Sequence, residues 1–382
     1  MIESLKIQKF KCFPELHLPL APLTVLTGFN AAGKSTSMQA LLLLAQASRF
    51  SPGSAVVALN GPLTRLGSVG DVVARNSDGM MSLGVEASEG FGRWELAPSR
   101  ELDSQFMKLE RATVRDEDGA TYESTEEFWP DPLKKSGLLE ALRRLLYVGS
   151  SRDTSNEAFP SPSETSSPYA DVGPRGEFAP WWYTRTADDE VDERRRHPTE
   201  ERLTVRGQID AWLNDLFPGA SVNADSIAKT SLTRLEFRMG RSGDWHRPSN
   251  TGYGLGYVFP LLVALTTMKA NQAIIIDAPE GHLHPKAQSI MGTILSRFAA
   301  SGVQIIVESH SDHILSGVRI SVKDKVLPPN KVALHFFQGR SGEQDAVSIV
   351  TPSLDQNGSI DAWPEGFFDQ AELDLARLTG WN

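Results

Sequence analysis

The run Gly28-Phe29-Asn30-Ala31-Ala32-Gly33-Lys34-Ser35-Thr36 has the spacing G-x-x-x-x-G-K-S, and its residue types suit the holding of a polyphosphate. Glycine at both ends permits a backbone path whose amide N–H groups converge on a β-phosphate. Lys34 reaches the β- and γ-oxygens, and the Ser35 hydroxyl can ligate Mg²⁺. The flanks supply what must position these groups. Leu23-Thr24-Val25-Leu26-Thr27 is a β-branched run and Ser37 to Gln46 is rich in strong helix formers, so strand, glycine loop and helix N-terminus are expected in that order. Asn30, Ala31, Ala32, Gly33, Lys34, Ser35 and Thr36 are the expected nucleotide contacts, with ATP and Mg²⁺ as ligands.

A second set of residues completes phosphoryl chemistry. Ile274-Ile275-Ile276-Asp277 is an apolar strand ending in a carboxylate, the Walker B form, and it delivers an acid to the carboxyl edge of a sheet where Mg²⁺ is held. Val307-Glu308-Ser309-His310 follows the next apolar strand, and a histidine there can report a γ-phosphate. Glu280 and Glu308 are candidate bases beside Asp277 and His310. Asn250-Thr251-Gly252-Tyr253-Gly254-Leu255-Gly256-Tyr257 is a glycine loop opening a helix, an anion site in principle. Since the first loop already holds one end of a nucleotide, Gly252, Gly254 and Gly256 are expected to face the nucleotide of a second copy. That arrangement is a head-to-tail, ATP-dependent homodimer or higher assembly.

Composition bounds the partners. The 382 residues carry 38 Lys+Arg against 48 Asp+Glu, a net charge of −10, which argues against a surface coated for nonspecific DNA binding while leaving a local nucleic-acid patch open. Cys12 is the only cysteine, so no internal disulfide forms, as suits a reducing cytosol. The opening Met1-Ile2-Glu3-Ser4-Leu5-Lys6 lacks a secretory pattern, and the apolar stretch at 40–47 is shorter than the roughly 20 residues of a membrane span. A cytoplasmic protein without a membrane segment is expected.

Along the chain, short β-type runs with glycine punctuation between 54 and 114 predict an antiparallel β-region. Residues 150 to 180 are rich in Ser, Pro, Thr, Glu and Gly, as in Ser161-Pro162-Ser163 and Ser166-Ser167-Pro168, and predict a long loop or partly disordered insertion. The charge run Asp188-Asp189-Glu190 to Arg194-Arg195-Arg196 reads as a solvated helix face, with partner or nucleic-acid contact as the second reading. From 231 onward apolar strands alternate with helices, which predicts a mainly parallel sheet covered on both faces. The expected organisation is an N-terminal lobe over 1–149 and a Ser/Pro-rich insertion over 150–200. A C-terminal lobe over 201–340 carries signature, Walker B and switch histidine, and a tail covers 341–382.

Phosphate loop, glycine signature, Walker B, the His282-Leu283-His284-Pro285 loop and His310, in this order, resemble the ABC/SMC-class ATPases of the RecF and OLD type, and in particular stand-alone bacterial AAA ATPases. Leu59-Asn60-Gly61, Leu66-Gly67, Glu308-Ser309-His310-Ser311 and the tail Asp361-Ala362-Trp363-Pro364-Glu365-Gly366-Phe367-Phe368-Asp369 carry that likeness over nearly the whole chain except about 150 to 200. The resemblance implies an α/β ABC-type ATPase head and an ATPase that switches a separate effector, a nuclease among the candidates, in anti-phage defence or DNA processing. This sequence departs from the class at two places. Ala278 stands where a glutamate polarises the attacking water, and Gly256 where a signature serine contacts the partner's γ-phosphate, so slow hydrolysis is expected unless Glu280 or Glu308 substitutes. Two alternatives stand beside this reading: a non-hydrolysing ATP-dependent scaffold, and a metal-dependent hydrolase built from His282, His284, His310, His313 and Asp312.

Overall fold

A computed structural model describes residues 1–74, 79–98, 104–133, 135–163, 170–240, 242–341, 346–364, 366–368 and 370–380. The chain divides into two compact units, one of Met1–Leu145, Asn330–Ser353 and Ile360–Asn382, the other of Leu146–Pro329 and Leu354–Ser359.

The first unit runs through β1 (Ile2–Phe10), β2 (Phe13–Pro19), β3 (Leu23–Gly28), α1 (Lys34–Phe50), β4 (Val56–Ala58), α2 (Val69–Val72), β5 (Met81–Ala87), β6 (Gly90–Pro98), β7 (Phe106–Arg115), β8 (Thr121–Ser124) and α3 (Gly137–Arg143). The second holds β9 (Leu146–Val148), β10 (Phe159–Pro160), α4 (Ala179–Thr186), α5 (Val205–Leu216), β11 (Ala220–Ser226), β12 (Leu232–Met239), α6 (Tyr253–Thr267), β13 (Ala273–Asp277), α7 (Pro285–Ala300), β14 (Gln304–Glu308) and α8 (Asp312–Lys323). The chain then returns to the first unit with β15 (Val332–Ser341), β16 (Ala346–Val350) and α9 (Gln370–Thr379).

In the first unit β2, β1, β5, β6, β7 and β4 pair in that order, with β8 on β7, and every pairing is antiparallel. Alternation of buried and exposed residues along β7 shows why: one face meets the core and the other meets water. The core behind it is aromatic. Trp94 stacks on Phe128 with ring centres 5.0 Å apart and meets Trp129 edge-on. The indole N–H of Trp129 donates to Ser48 Oγ, 2.8 Å, which ties the sheet's core to α1. Strand β3 belongs to a different layer. Its five leading residues are all buried, and it pairs in parallel with β15, Leu23 opposite Val332 through Gly28 opposite Phe337; β16 adds to β15 antiparallel.

In the second unit β14 and β9 flank β13 in parallel, and the apolar runs of β13 and β14 are buried along their lengths as expected of a covered parallel sheet. Helix α6 buries 13 of its 15 residues, because nearly all of them are apolar or small. Strands β10, β12 and β11 form a separate antiparallel sheet.

The polar stretch after 150 contains more packing than its composition announces. Phe159 is buried and pairs through β10 with Thr233, while Trp181, Trp182 and Tyr183 are buried on α4. The expected solvated helix at the charge run is instead a single 3₁₀ turn over Glu193–Arg195, whose Arg195 is buried and paired with Asp192. Ser166-Ser167-Pro168 lies outside the described residues.

Candidate functional site

The phosphate loop sits in the first unit between β3 and α1. Gly28 has φ +128°, and a Cβ there would lie 2.2 Å from the Phe337 carbonyl oxygen. Gly33 has φ +100°, and its Cβ would meet the Phe13 ring at 2.6 Å. Only glycine serves at either position. Helix α1 therefore starts on a left-handed Gly33 with no side-chain cap and no acid in its first turn, so its positive end stays open to an anion. Lys34 is 3% exposed, and its ammonium donates to the carbonyl oxygens of Gly28 (3.0 Å) and Phe29 (2.7 Å). Asn30, Ala31 and Ser35 face solvent, Thr36 is half-buried, and Ala32 is buried.

The loop also leans on the C-terminal segment. The Phe29 N–H donates to Phe337 O at 2.9 Å, its ring meets Phe336 edge-on, and Gly366 has no room for a Cβ beside it. Phe367, fully buried, packs on Phe336 with ring centres 5.1 Å apart.

In the second unit Asp277 ends β13 and stands in register with Glu308 at the end of β14. Burial first, then these two carboxylates, push the neighbouring Tyr147 phenol up to about 12. Glu308 is buried, with His310 Nε2 3.9 Å from its carboxylate. Glu280 is engaged on both oxygens: Oε1 accepts from the His310 N–H (2.8 Å) and Oε2 from the Ser309 hydroxyl (3.0 Å). Ala278 has φ +48°, its N–H donates to Glu308 O (3.0 Å), and its carbonyl accepts from the Tyr257 hydroxyl (2.9 Å).

The glycine signature opens α6, again with no side-chain cap and no acid in the first turn. Gly252 is exposed with open space around it, at the rim of a cavity of about 620 Å³ that Phe217, Met239, His246 and Tyr253 also line. Gly254 and Gly256 are buried. Gly254 lies against Phe217 and the His282 carbonyl, and Gly256 against the backbone of Thr154. Space for a contact from outside is therefore greatest at Gly252.

Residues 1–123 match the family described as "AAA ATPase domain", residues 141–316 that described as "AAA domain, putative AbiEii toxin, Type IV TA system", and residues 327–378 that described as "Protein of unknown function (DUF3696)". The fold is that of an SMC head: an SmcHead bound to the C-winged helix domain of ScpA superposes with a TM-score of 0.53 at 12% identity, over 92% of this chain and 98% of that one. Two AAA ATPase domain models thus match within this chain, and its fold is similar to that of an ABC/SMC-class ATPase head. A Smc head domain with an extended coiled coil, bound to the C-terminal domain of ScpA derived from Pyrococcus furiosus, gives a TM-score of 0.48 at 12% identity over 99% of both chains. No curated protein sequence matches significantly.

One residue of the site escaped the sequence reading. Arg152, buried, donates from its guanidinium to the carbonyls of Gly149, Tyr257 and Asp277, and Tyr257 lies under it. The signal was weak: an arginine in a stretch rich in serine and proline gives no sign of burial. Among the described residues, no three His, Cys, Asp or Glu side chains gather where a metal ion could sit, so the metal-hydrolase alternative has no constellation behind it. His284 instead caps α7 through Nδ1, and His282 lies between Tyr253 and Tyr257. No helix among the described residues is long and apolar enough to cross a membrane.

Proposed function

We propose that this ATPase binds ATP at the Gly28–Thr36 loop, hydrolyses it slowly, and uses the bound state to pair head-to-tail with a second copy and switch a separate effector. The open N-terminus of α1, with Lys34 held over the loop by two carbonyls, carries the reading. When a triphosphate arrives, Lys34 exchanges those carbonyls for phosphate oxygens and so moves little. Ser35, exposed on the first turn of α1, and Asp277 are the residues that would hold Mg²⁺, which neutralises charge on the β- and γ-oxygens. His310, with its N–H fixed by Glu280, is assigned to the γ-phosphate. Gly252 is assigned to the second copy's nucleotide, since it offers an uncapped helix start in open space.

Slow hydrolysis follows from two observations. Ala278 carries no carboxylate, and Glu280 spends both oxygens on Ser309 and His310. Glu308, in register with Asp277 and 3.9 Å from His310 Nε2, is the other acid that could serve the attacking water. The same observations favour a second reading, an ATP-dependent scaffold that does not hydrolyse. For the output, the family resemblance supports a partner effector, a nuclease or nucleic-acid machine among the candidates, in anti-phage defence or DNA processing.

Calorimetry with ATP and Mg²⁺, phosphate release, and light scattering test the reading together. Charge-assisted hydrogen bonds contribute about 1.5–3 kcal/mol, so Lys34→Ala should weaken ATP binding by roughly 10- to 100-fold and abolish any ATP-dependent rise in mass. Unchanged ATP affinity in Lys34→Ala overturns it; tight binding with no phosphate release selects the scaffold.

A further inference from the structure

The Arg152 guanidinium holds three segments of the second unit at once. Nε–H donates to Gly149 O (2.9 Å), Nη1–H to Tyr257 O (3.0 Å) and Nη2–H to Asp277 O (2.7 Å). Its central carbon lies 3.8 Å from the centre of the Tyr257 ring. The Tyr257 hydroxyl points back the other way, 2.9 Å from Ala278 O and 3.1 Å from Ser150 O. The Asp277–Ala278 peptide, the first turns of α6 and the 149–152 loop are thus joined through one guanidinium and one phenol.

Such a residue is costly to keep. Among the described residues Arg152 has no carboxylate at ion-pair distance, and burial draws its pKa down to about 10 against the opposing pull of Tyr257 and Asp277. An apolar side chain of similar volume would fill the space without the desolvation. What it would lack is the planar fork that fixes three carbonyls in one geometry.

We propose that Arg152, with Tyr257, is a positioning residue that couples occupancy of the glycine turn at the start of α6 to the placement of Asp277. A shift of α6 carries the Tyr257 carbonyl and ring with it. The rigid guanidinium passes that shift to the Asp277 carbonyl, and the phenol passes it to Ala278. The coupling rests on the ATPase reading above, and it supplies the link by which a second copy seated on Gly252 alters chemistry at Asp277.

The test uses Arg152→Lys, which keeps the charge and loses the fork, and Tyr257→Phe, which keeps the ring and loses the hydroxyl. Each is compared with the parent, Lys34→Ala and Gly252→Asp for ATP affinity, turnover, ATP-dependent association and melting temperature. Both variants should bind ATP within about twofold of the parent, while turnover or ATP-dependent association falls roughly tenfold or more. In combination with Gly252→Asp the losses should be less than multiplicative, as expected of residues in one network.

Parent-like turnover and association in both variants overturn the proposal. So does a parallel fall of ATP affinity, activity and melting temperature, which marks a folding role only. A parent that binds no ATP, or that ignores Lys34→Ala, defeats the ATPase reading and this proposal with it; a parent that passes, with Arg152→Lys and Tyr257→Phe unchanged, defeats this proposal alone.

Discussion

Placing a carboxylate at position 278 should speed the proposed ATP hydrolysis. Ala278 already occupies left-handed backbone, φ +48°, so Ala278→Glu adds no new backbone cost. The N–H to Glu308 O and the carbonyl to the Tyr257 hydroxyl are main-chain contacts that survive the change. A stability change within about 1 kcal/mol is therefore expected. The gain lies in the barrier. General-base assistance contributes about 10²- to 10⁴-fold, equivalent to roughly 2.7–5.4 kcal/mol. Steady-state phosphate release at saturating ATP and Mg²⁺ is the assay, with Lys34→Ala measuring any contaminating activity. Glu280→Gln is the companion: it leaves one carbonyl oxygen for either Ser309 or His310, loosens the switch loop, and should lower turnover only modestly. A parent that already turns over quickly, gains nothing from Ala278→Glu and collapses in Glu280→Gln refutes the reasoning. Glu280 would then leave Ser309 and His310 when nucleotide binds and act as the base itself.

Two further outcomes follow from the first unit. Phe367→Ala removes a fully buried ring from contact with Phe336, Trp363 and Phe368. It should cost about 3–5 kcal/mol in a chemical-denaturation transition and also weaken ATP binding, because Phe336 supports Phe29; unchanged ATP affinity in a folded variant would show that the phosphate loop does not depend on this support. His335 is fully buried, with Nε2 2.7 Å from Pro19 O and Nδ1 3.0 Å from Thr351 Oγ1. Burial holds its pKa below the usual histidine value, opposed by the Pro19 carbonyl. The unfolded chain therefore binds the proton first, and stability present above the ordinary histidine pKa of about 6.5 is lost as pH falls from there toward the folded value. Melting temperatures at a series of pH values should show this loss in the parent and a flatter profile in His335→Gln; identical slopes would exclude His335 as its source.

The phosphate loop and the Asp277 strand were legible because each is local. Glycine spacing, a β-branched run and a leucine-rich helix declare themselves within a few residues, and β3, α1 and β13 lie where those patterns put them. The antiparallel β-region after residue 54 was legible for the same reason. What stayed hidden depends on distant partners. Arg152 looks solvated until three carbonyls and Tyr257 close on it, and Glu280 looks free until Ser309 and His310 occupy both its oxygens. Helix α4 was lost in a polar stretch because Trp181 and Trp182 have no periodic apolar flanks, although both are buried in the fold. The signature glycines share one spacing pattern, yet only Gly252 has open space around it; the burial of Gly256 comes from Thr154, far away in sequence.

The pairing of β3 with β15 has a consequence for how the chain is made. These strands lie side by side but are separated by about 300 residues, which a ribosome adding about 5–20 residues per second takes roughly 15–60 s to produce. Throughout that interval the strand that leads into the phosphate loop lacks its β15 neighbour, and an unpaired apolar edge invites association with other nascent chains. Phe29 likewise waits for Phe336 and Phe337. A ribosome stalled before residue 337 therefore leaves a fragment that carries the loop's sequence without the neighbours that brace it.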